Sequence, residues 1–211
     1  MVSFRRLVDL SEDELDAVVQ VLLAAFKDDV GMSSLSGNST RVLADICRRT
    51  VRACSKVGEV HVGLVDGRIQ SVVAWTAPGQ DWQCYQQADF MANLSSYLNE
   101  WYMYHYQPTY EDLYATAFSA GERTRRDALY LNFLAVHPDH QHRRIGKQLL
   151  SFACKQADAT AKRMVVDVKS PFLVSWFRKS GFIHRAVKNF SSRDSAGFPL
   201  WCMVREPEGK R

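Results

Sequence analysis

The stretch Tyr130–Leu150, YLNFLAVHPDHQHRRIGKQLL, constrains the fold more than any other part of the chain. Its hydrophobic run, Leu129–Val136, contains no strong helix breaker and predicts a buried strand. The run stops at His137-Pro138-Asp139, where proline removes a backbone donor and forces its neighbour into an extended conformation. The basic residues His140–Lys147 then lead into an amphipathic helix. A helix amino terminus carries N–H groups without intrahelical partners and partial positive charge, so this arrangement predicts a phosphate-bearing ligand.

Composition and charge narrow the class of protein. With 211 residues, of which 46% are hydrophobic, the chain fits a single domain, 1–211, that buries a core without disulfides or metal. No apolar run is long enough to cross a bilayer and the amino terminus turns polar at once, so we expect no membrane association. The five cysteines are scattered without CxxC pairs, which predicts reduced thiols and a cytoplasmic protein. The net charge of +4 suits an anionic cofactor but is far from that of a dedicated nucleic-acid binder.

Strands and helices succeed one another along the whole chain. Ser11 and Glu14 form a capping box before the first helix, and Asp66-Gly67 is typical of a two-residue hairpin turn. The first predicted elements are a strand at Ser3–Val8, a helix at Glu12–Phe26, a loop at Lys27–Ser39, a helix at Thr40–Lys56 and a hairpin of Glu59–Val65 with Arg68–Thr76. The later ones are a helix at Gln83–Leu98, an irregular segment broken at Pro108, strands at Leu129–Val136 and Arg163–Lys169, helices at Arg144–Thr160 and Pro171–Lys179, and strands after Gly181 and Pro199. This order predicts an α+β fold with a mixed, mostly antiparallel sheet flanked by helices.

Two motifs in the last third of the chain resemble those of the GNAT superfamily of acyl-CoA N-acyltransferases. Leu134-Ala135-Val136 followed by Gln141-His142-Arg143-Arg144-Ile145-Gly146 resembles motif A, Gln/Arg-x-x-Gly-x-Gly/Ala after a strand. Phe177-Arg178-Lys179-Ser180-Gly181-Phe182 is similar to the later Tyr-x-x-x-Gly-Phe element. The chain departs from the pattern twice, with Arg144 in place of the central glycine and Phe177 in place of the tyrosine.

The resemblance implies an N-acetyltransferase domain that uses acetyl-CoA (coenzyme A). In the family this cofactor lies where two neighbouring parallel strands splay apart. Its pantetheine arm pairs with the first strand's backbone and its pyrophosphate binds the following turn. The implied cofactor-binding residues are Leu134, Ala135, Val136, Gln141, His142, Arg143, Arg144, Ile145, Gly146, Lys147 and Phe177. The implied reaction is direct attack of a small-molecule amine on the thioester in a ternary complex, by a monomer or homodimer.

Arg144 leaves two conformations open. With a helical φ, its side chain points to solvent or pairs with the phosphates, and that pairing offsets the missing glycine. We expect this conformation. With φ above zero, the backbone is strained by about 1 kcal/mol or more.

The sequence offers few catalytic groups. Asp167 is the one carboxylate inside the strand after the cofactor helix, and it is either a catalytic residue or a hydrogen-bonded strand residue. Tyr130 and Asn132 share a face of the first strand by alternation, and Asn132 is suited to orient a water. Phe177 stands where the family's frequent general acid would be and has no hydroxyl, so another group or water supplies the proton, or the protein no longer catalyses.

Other polar and aromatic residues have less specific interpretations. The aromatic-rich stretch 82–110 either packs in the core or partly walls an acceptor pocket. His61 is either a packed strand histidine or a group that titrates near neutrality. His137, His140 and His142 lie on a turn with no further ligands beside them, so we expect no metal. An acyl-CoA-binding protein with degenerate catalysis stays as an alternative function, and a nucleic-acid or protein-interaction module is a weaker one.

Overall fold

Seven strands form one mixed sheet in a computed structural model that describes residues 2–80, 82–192 and 197–209. The strands are β1 (Val2–Leu7), β2 (Gly58–Val65), β3 (Arg68–Thr76), β4 (Leu129–Val136), β5 (Met164–Val168), β6 (Ile183–Phe190) and β7 (Phe198–Arg205). Their spatial order is β1-β2-β3-β4-β5-β7-β6, and only β4 and β5 are parallel neighbours. The predicted mixed, mostly antiparallel sheet is confirmed.

Helices cover both faces of the sheet. They are α1 (Glu12–Ala25), α2 (Val30–Ser36), α3 (Thr40–Val57), α4 (Ala88–Ala92), α5 (Ser96–Trp101), α6 (Gln107–Ala117), α7 (Arg123–Arg126), α8 (Ile145–Ala159) and α9 (Pro171–Arg178). Helices α1 to α6 pack in one hydrophobic cluster on one face, and α8 and α9 pack in a second cluster on the other. The sheet therefore separates a layer that holds the aromatic-rich segment from a layer that holds α8 and α9.

Local sequence signals determine where α1 begins and how β2 turns into β3. The hydroxyl of Ser11 accepts from the backbone N–H of Glu14, and the Glu14 carboxylate accepts from the N–H of Ser11, each at 3.2 Å. Asp66 and Gly67 have φ of 49° and 77°, as a tight hairpin turn that matches the strand twist requires. The predicted capping box and hairpin both form.

The segment between the first two predicted helices is not a loop throughout. Residues Val30–Ser36 form α2, which begins where the Asp29 carboxylate accepts from the N–H of Met32 at 2.7 Å. It ends at Gly37, whose φ is 58°. A helix of seven residues makes only two turns, so its hydrophobic periodicity is too short to stand out from loop residues.

The aromatic-rich segment is also more helical than expected. The helix predicted at Gln83–Leu98 is broken, since α5 begins after its N-cap residue Ser95, whose hydroxyl accepts from the N–H of Leu98 at 3.3 Å. A π-helical segment, Tyr102–Tyr106, then joins α5 to α6. Its widened turn precedes Pro108, a residue that lacks an N–H and clashes with an ordinary helical turn. The predicted irregular segment is therefore a continuous run of helix.

Candidate active site

The two parallel strands at the centre of the sheet separate part way along. Pairing between β4 and β5 covers only Leu129–Leu131 against Met164–Val166, although both strands continue further. On its other edge β4 stays paired to β3 as far as Val136, with a bulge because Ala74 pairs with Phe133 and Trp75 with Leu131. Asn132 is the extra residue of this bulge. The strands thus open as a cleft that starts at Asn132, and β4 turns an unpaired edge toward it.

The turn after β4 is built from left-handed residues. His142 and Arg144 have φ of 61° and 62°, and Arg144 is the N-cap of α8. The expectation of a helical φ at Arg144 is wrong, and the strained alternative holds, at a cost of about 1 kcal/mol or more. Left-handed residues in such a turn allow neighbouring backbone N–H groups to converge on one concave nest, which suits an anion.

The remaining motif residues fix this turn against the strand. The Gln141 side-chain amide donates to the carbonyl of Val136 at 3.1 Å. Ile145 is buried, while Arg143, Arg144 and Lys147 are exposed. A Cβ on Gly146 would lie 3.6 Å from Val136 and 3.9 Å from Trp176, which is ordinary contact. Gly146 is therefore not required by packing, and its value lies in leaving the backbone open at the helix amino terminus.

A cavity of about 100 Å³ opens beside the cleft, on the face covered by α1 to α6. The bulged part of β4 forms its floor and supplies Tyr130, Leu131, Asn132 and Phe133 together. Its other lining residues are Met32, Leu35, Ile46, Thr50, Trp82, Gln83, Cys84, Tyr85, Tyr102, Tyr106, Asp167, Lys169 and Leu200. The structure thus brings Tyr130, Asn132 and Asp167 to one cavity, and part of the aromatic cluster does wall it.

Three tyrosines donate hydrogen bonds to the Asp167 carboxylate. The hydroxyls of Tyr110 and Tyr130 lie 2.6 and 2.8 Å from Oδ2, and that of Tyr114 lies 2.9 Å from Oδ1. Burial raises the pKa of all three tyrosines well above its usual value, so each remains a protonated donor. Asp167 is therefore both a hydrogen-bonded strand residue and a cavity residue, and the two interpretations are compatible.

Sequence reasoning missed Tyr110 and Tyr114. Both lie on α6, and with Tyr106 they follow one another at intervals of four residues. That spacing places side chains on one helical face. The spacing is thus a helical signal, but the segment predicted after Leu98 is an irregular one that is broken at Pro108.

Phe177 and His61 lie in packed surroundings away from the cavity lining. Phe177 is 5% exposed and meets the rings of Trp176 and Phe182 edge-on, with centroids 5.0 and 5.2 Å away. His61 stacks between Trp75 and a ring of α8, and its Nε2 lies 2.7 Å from the Glu59 carboxylate. Both side chains serve packing in this structure.

Within the described ranges, no three or more histidine, cysteine or acidic side chains come together as a metal site would require. The rings of His137 and His140 are 6.1 Å apart. In the same ranges, no helix has the length and apolar character needed to cross a membrane.

Comparison with known proteins agrees with this geometry. Residues 110–184 match the family model described as acetyltransferase (GNAT) domain, which confirms the resemblance seen in the two motifs. No curated protein sequence matches the chain significantly.

Solved structures match the chain over nearly its whole length. A mosquito arylalkylamine N-acetyltransferase like 5b is 15% identical, with 98% of this chain and 100% of that one covered and a TM-score of 0.65. A variant of agmatine N-acetyltransferase is 14% identical, with 97% and 99% covered and a TM-score of 0.64. A Corynebacterium glutamicum protein described as histone acetyltransferase HPA2 and related acetyltransferase is 15% identical, with 98% and 96% covered and a TM-score of 0.64. At these identities the similarity establishes the fold.

Proposed function

Because residues 110–184 match the acetyltransferase (GNAT) domain and the whole chain adopts that fold, we propose that this protein transfers an acetyl group from acetyl-CoA to a small-molecule amine. The amine attacks directly, in a ternary complex. The observation that carries the proposal is the junction at Asn132, where the cleft between β4 and β5 meets the cavity that holds Asp167. A donor in the cleft and an acceptor in the cavity would have their reacting atoms side by side.

The cleft side suits coenzyme A. The unpaired edge of β4 at Leu134–Val136 offers backbone groups to an extended amide-containing arm. The left-handed turn at His142 and Arg144 and the open amino terminus of α8 offer N–H groups to a pyrophosphate. Arg143, Arg144 and Lys147 surround that turn with exposed positive charge. These are the groups that would hold the cofactor.

The cavity side suits an amine. When bound, acetyl-CoA supplies the thioester carbon that the amine attacks, so that a C–N bond forms and the C–S bond breaks. Of the two protons that the ammonium loses, one goes to the thiol and the other is released. Asp167 receives the ammonium and takes its proton. Tyr110, Tyr114 and Tyr130 hold the carboxylate in place for that step. Asn132 donates its Nδ2 to the carbonyl of Tyr130 at 3.2 Å, which leaves its Oδ1 free to orient the amine or a water.

A covalent route through the protein is disfavoured. Cys84 is the thiol that lines the cavity, and burial raises its pKa far above the usual value for a cysteine. The thiolate, not the thiol, is the nucleophile. Direct transfer therefore needs no acyl-cysteine intermediate.

The alternative of an acyl-CoA-binding protein without catalysis is favoured by one observation. Phe177 has no hydroxyl, and it is packed between Trp176 and Phe182. The thiol of coenzyme A resembles cysteine, whose pKa is about 8.5, so its thiolate leaves without obligatory protonation. A missing acid slows the reaction without abolishing it.

The test is thiol release from acetyl-CoA with a chromogenic reagent, with and without a panel of primary amines. We expect release that depends on the amine, together with a matching amount of acetylated amine by mass spectrometry. Tight binding of acetyl-CoA without amine-dependent release would instead support the binding protein.

A further inference from the structure

Two opposite charges line the cavity. Asp167 lies in β5, and Lys169, two residues further along the chain, comes directly after the end of that strand. Both side chains line the cavity, and their Cα atoms are roughly 6.6 Å apart. Among the residues that the structure describes, neither takes part in an ion pair within 4.0 Å. A partly buried cavity that holds one anion and one cation without ion-pair partners is complementary to a ligand that carries both charges.

The fold makes room for Lys169 at this place. A Cβ on Gly31 of α2 would come 2.2 Å from Cδ of Lys169, so the lysine stem lies in the space that the glycine leaves empty. Only a missing side chain permits this approach. Helix α2 therefore serves as a support for Lys169.

Gln83 adds a donor without an acceptor. Its Nε2 is buried and has no hydrogen-bond partner, and Gln83 lines the same cavity. A buried donor without a partner is unfavourable, so native structures usually satisfy it with protein, water or ligand. Lys169 and Gln83 together therefore favour a ligand oxygen that accepts hydrogen bonds and carries negative charge.

The Asp167 carboxylate favours a cationic group of the ligand. A carboxylate has about four acceptor positions, and three are taken by the tyrosine hydroxyls. These donors are neutral, and one acceptor position of the carboxylate remains for an ammonium.

We propose that the acceptor is a compact amino acid, a primary amine with a carboxylate a short distance along the same skeleton. The inference rests on the proposed function, since the amine that meets Asp167 is the one acetylated. The carboxylate meets Lys169 and Gln83, and an apolar side chain meets Tyr85 and Phe133. The cavity of about 100 Å³ is well below the about 300–1,000 Å³ of sites for drug-sized ligands, which favours a small acceptor. A simple amine would leave Lys169 and Gln83 without a partner.

The experiment compares L-alanine, L-valine and L-leucine with ethylamine, isobutylamine and isoamylamine, which are the same skeletons without the carboxylate. With acetyl-CoA saturating, we expect kcat/KM to be about 10- to 100-fold higher for the better amino acids than for their matched amines. Binding of the same pairs to the protein saturated with coenzyme A is measured by calorimetry, so that the preference is visible even without turnover.

Variants assign the preference to the named residues. Lys169→Met should bring the ratio of kcat/KM for the amino acid to kcat/KM for its matched amine close to one. Gly31→Ala, which displaces the lysine stem, should lower the ratio in the same direction. Lys155→Met, an exposed lysine on α8, is the control and should keep the wild-type ratio.

Each outcome separates this inference from the proposed function. Equal kcat/KM and equal affinity for the two members of every pair would overturn the amino-acid inference and leave the acetyltransferase standing. Preferred binding of amino acids without any thiol release would overturn the acetyltransferase and keep the zwitterion site. If Lys169→Met kept the preference for amino acids, Lys169 would not be the residue that binds the carboxylate.

Discussion

The proposed cofactor cleft and the proposed acceptor cavity share the strand β4 but are built in different ways. The cleft side is formed mainly by 134–147, a short continuous stretch that offers largely backbone groups. The cavity is formed by side chains from seven separate stretches, including α2, α3 and the π-helical segment. Backbone recognition of a phosphate needs only a local conformation, whereas a side-chain cavity needs the whole layer to be assembled. The comparison explains why one half follows a recognisable motif and the other does not.

The largest effect is expected on the cleft side, at Gly146. Gly146→Asp places a carboxylate at the amino terminus of α8, where a like charge about 4 Å from a phosphate costs about 4 kcal/mol at an effective dielectric constant of 20. Affinity for coenzyme A should therefore fall about 1,000-fold in calorimetry. Gly146→Ala is the control, because its Cβ meets only ordinary contacts, and it should stay folded and bind far better than Gly146→Asp. Wild-type affinity in a folded Gly146→Asp protein would remove the phosphate site.

A large effect is also expected on the cavity side, at Asp167. In the wild-type protein the tyrosine hydroxyls donate to both oxygens of the Asp167 carboxylate. Asp167→Asn replaces one of these oxygens with an NH₂ group, which cannot accept from them. Amine-dependent kcat/KM should fall about 100-fold, and the free energy of unfolding should fall by about 1–3 kcal/mol. Coenzyme A affinity should not change, since the cleft is separate. Asp112→Asn, which alters an exposed pair with Lys188, is the control and should leave both quantities almost unchanged. A normal rate in Asp167→Asn would exclude Asp167 from the reaction.

Phe177→Tyr restores the hydroxyl that the family pattern has at this position, and it tests whether that hydroxyl takes part in the reaction. Phe177 is 5% exposed, so the new hydroxyl enters a packed cluster and should lower the free energy of unfolding by about 1–3 kcal/mol in chemical denaturation. Turnover should not rise. The same change at Phe172, which is 70% exposed, should be neutral. Faster thiol release in Phe177→Tyr would show that the hydroxyl reaches the thiolate and that water is the present acid.

The smallest effect is expected at Arg144. Its φ of 62° is costly for any residue with a Cβ, so Arg144→Gly should raise the free energy of unfolding by about 1 kcal/mol. Coenzyme A affinity should fall, because an exposed positive charge beside the phosphates is lost. Arg143→Gly removes the same charge at a position without a positive φ, and it should not stabilise the protein. Equal destabilisation of the two variants would contradict the strained turn.

Sequence reasoning went furthest where a local rule decides the structure. The capping box at Ser11, the hairpin turn at Asp66-Gly67 and the strand that ends at Val136 depend on a few adjacent residues. The left-handed conformation of Arg144 was not predicted, because a residue with a Cβ ordinarily avoids a positive φ. Helix α2 and the π-helical segment were missed because packing against other elements overrides weak local signals in short segments. The contacts of Asp167 with Tyr110 and Tyr114 join residues more than fifty positions apart, which no local pattern specifies.

The central claim is direct transfer where the cleft and the cavity meet, and steady-state kinetics test it most directly. Initial rates of thiol release are measured while acetyl-CoA and the best amine acceptor are both varied. We expect double-reciprocal lines that intersect, because both substrates must be bound before the acetyl group moves. Parallel lines, or thiol release that does not depend on the amine, would contradict the account.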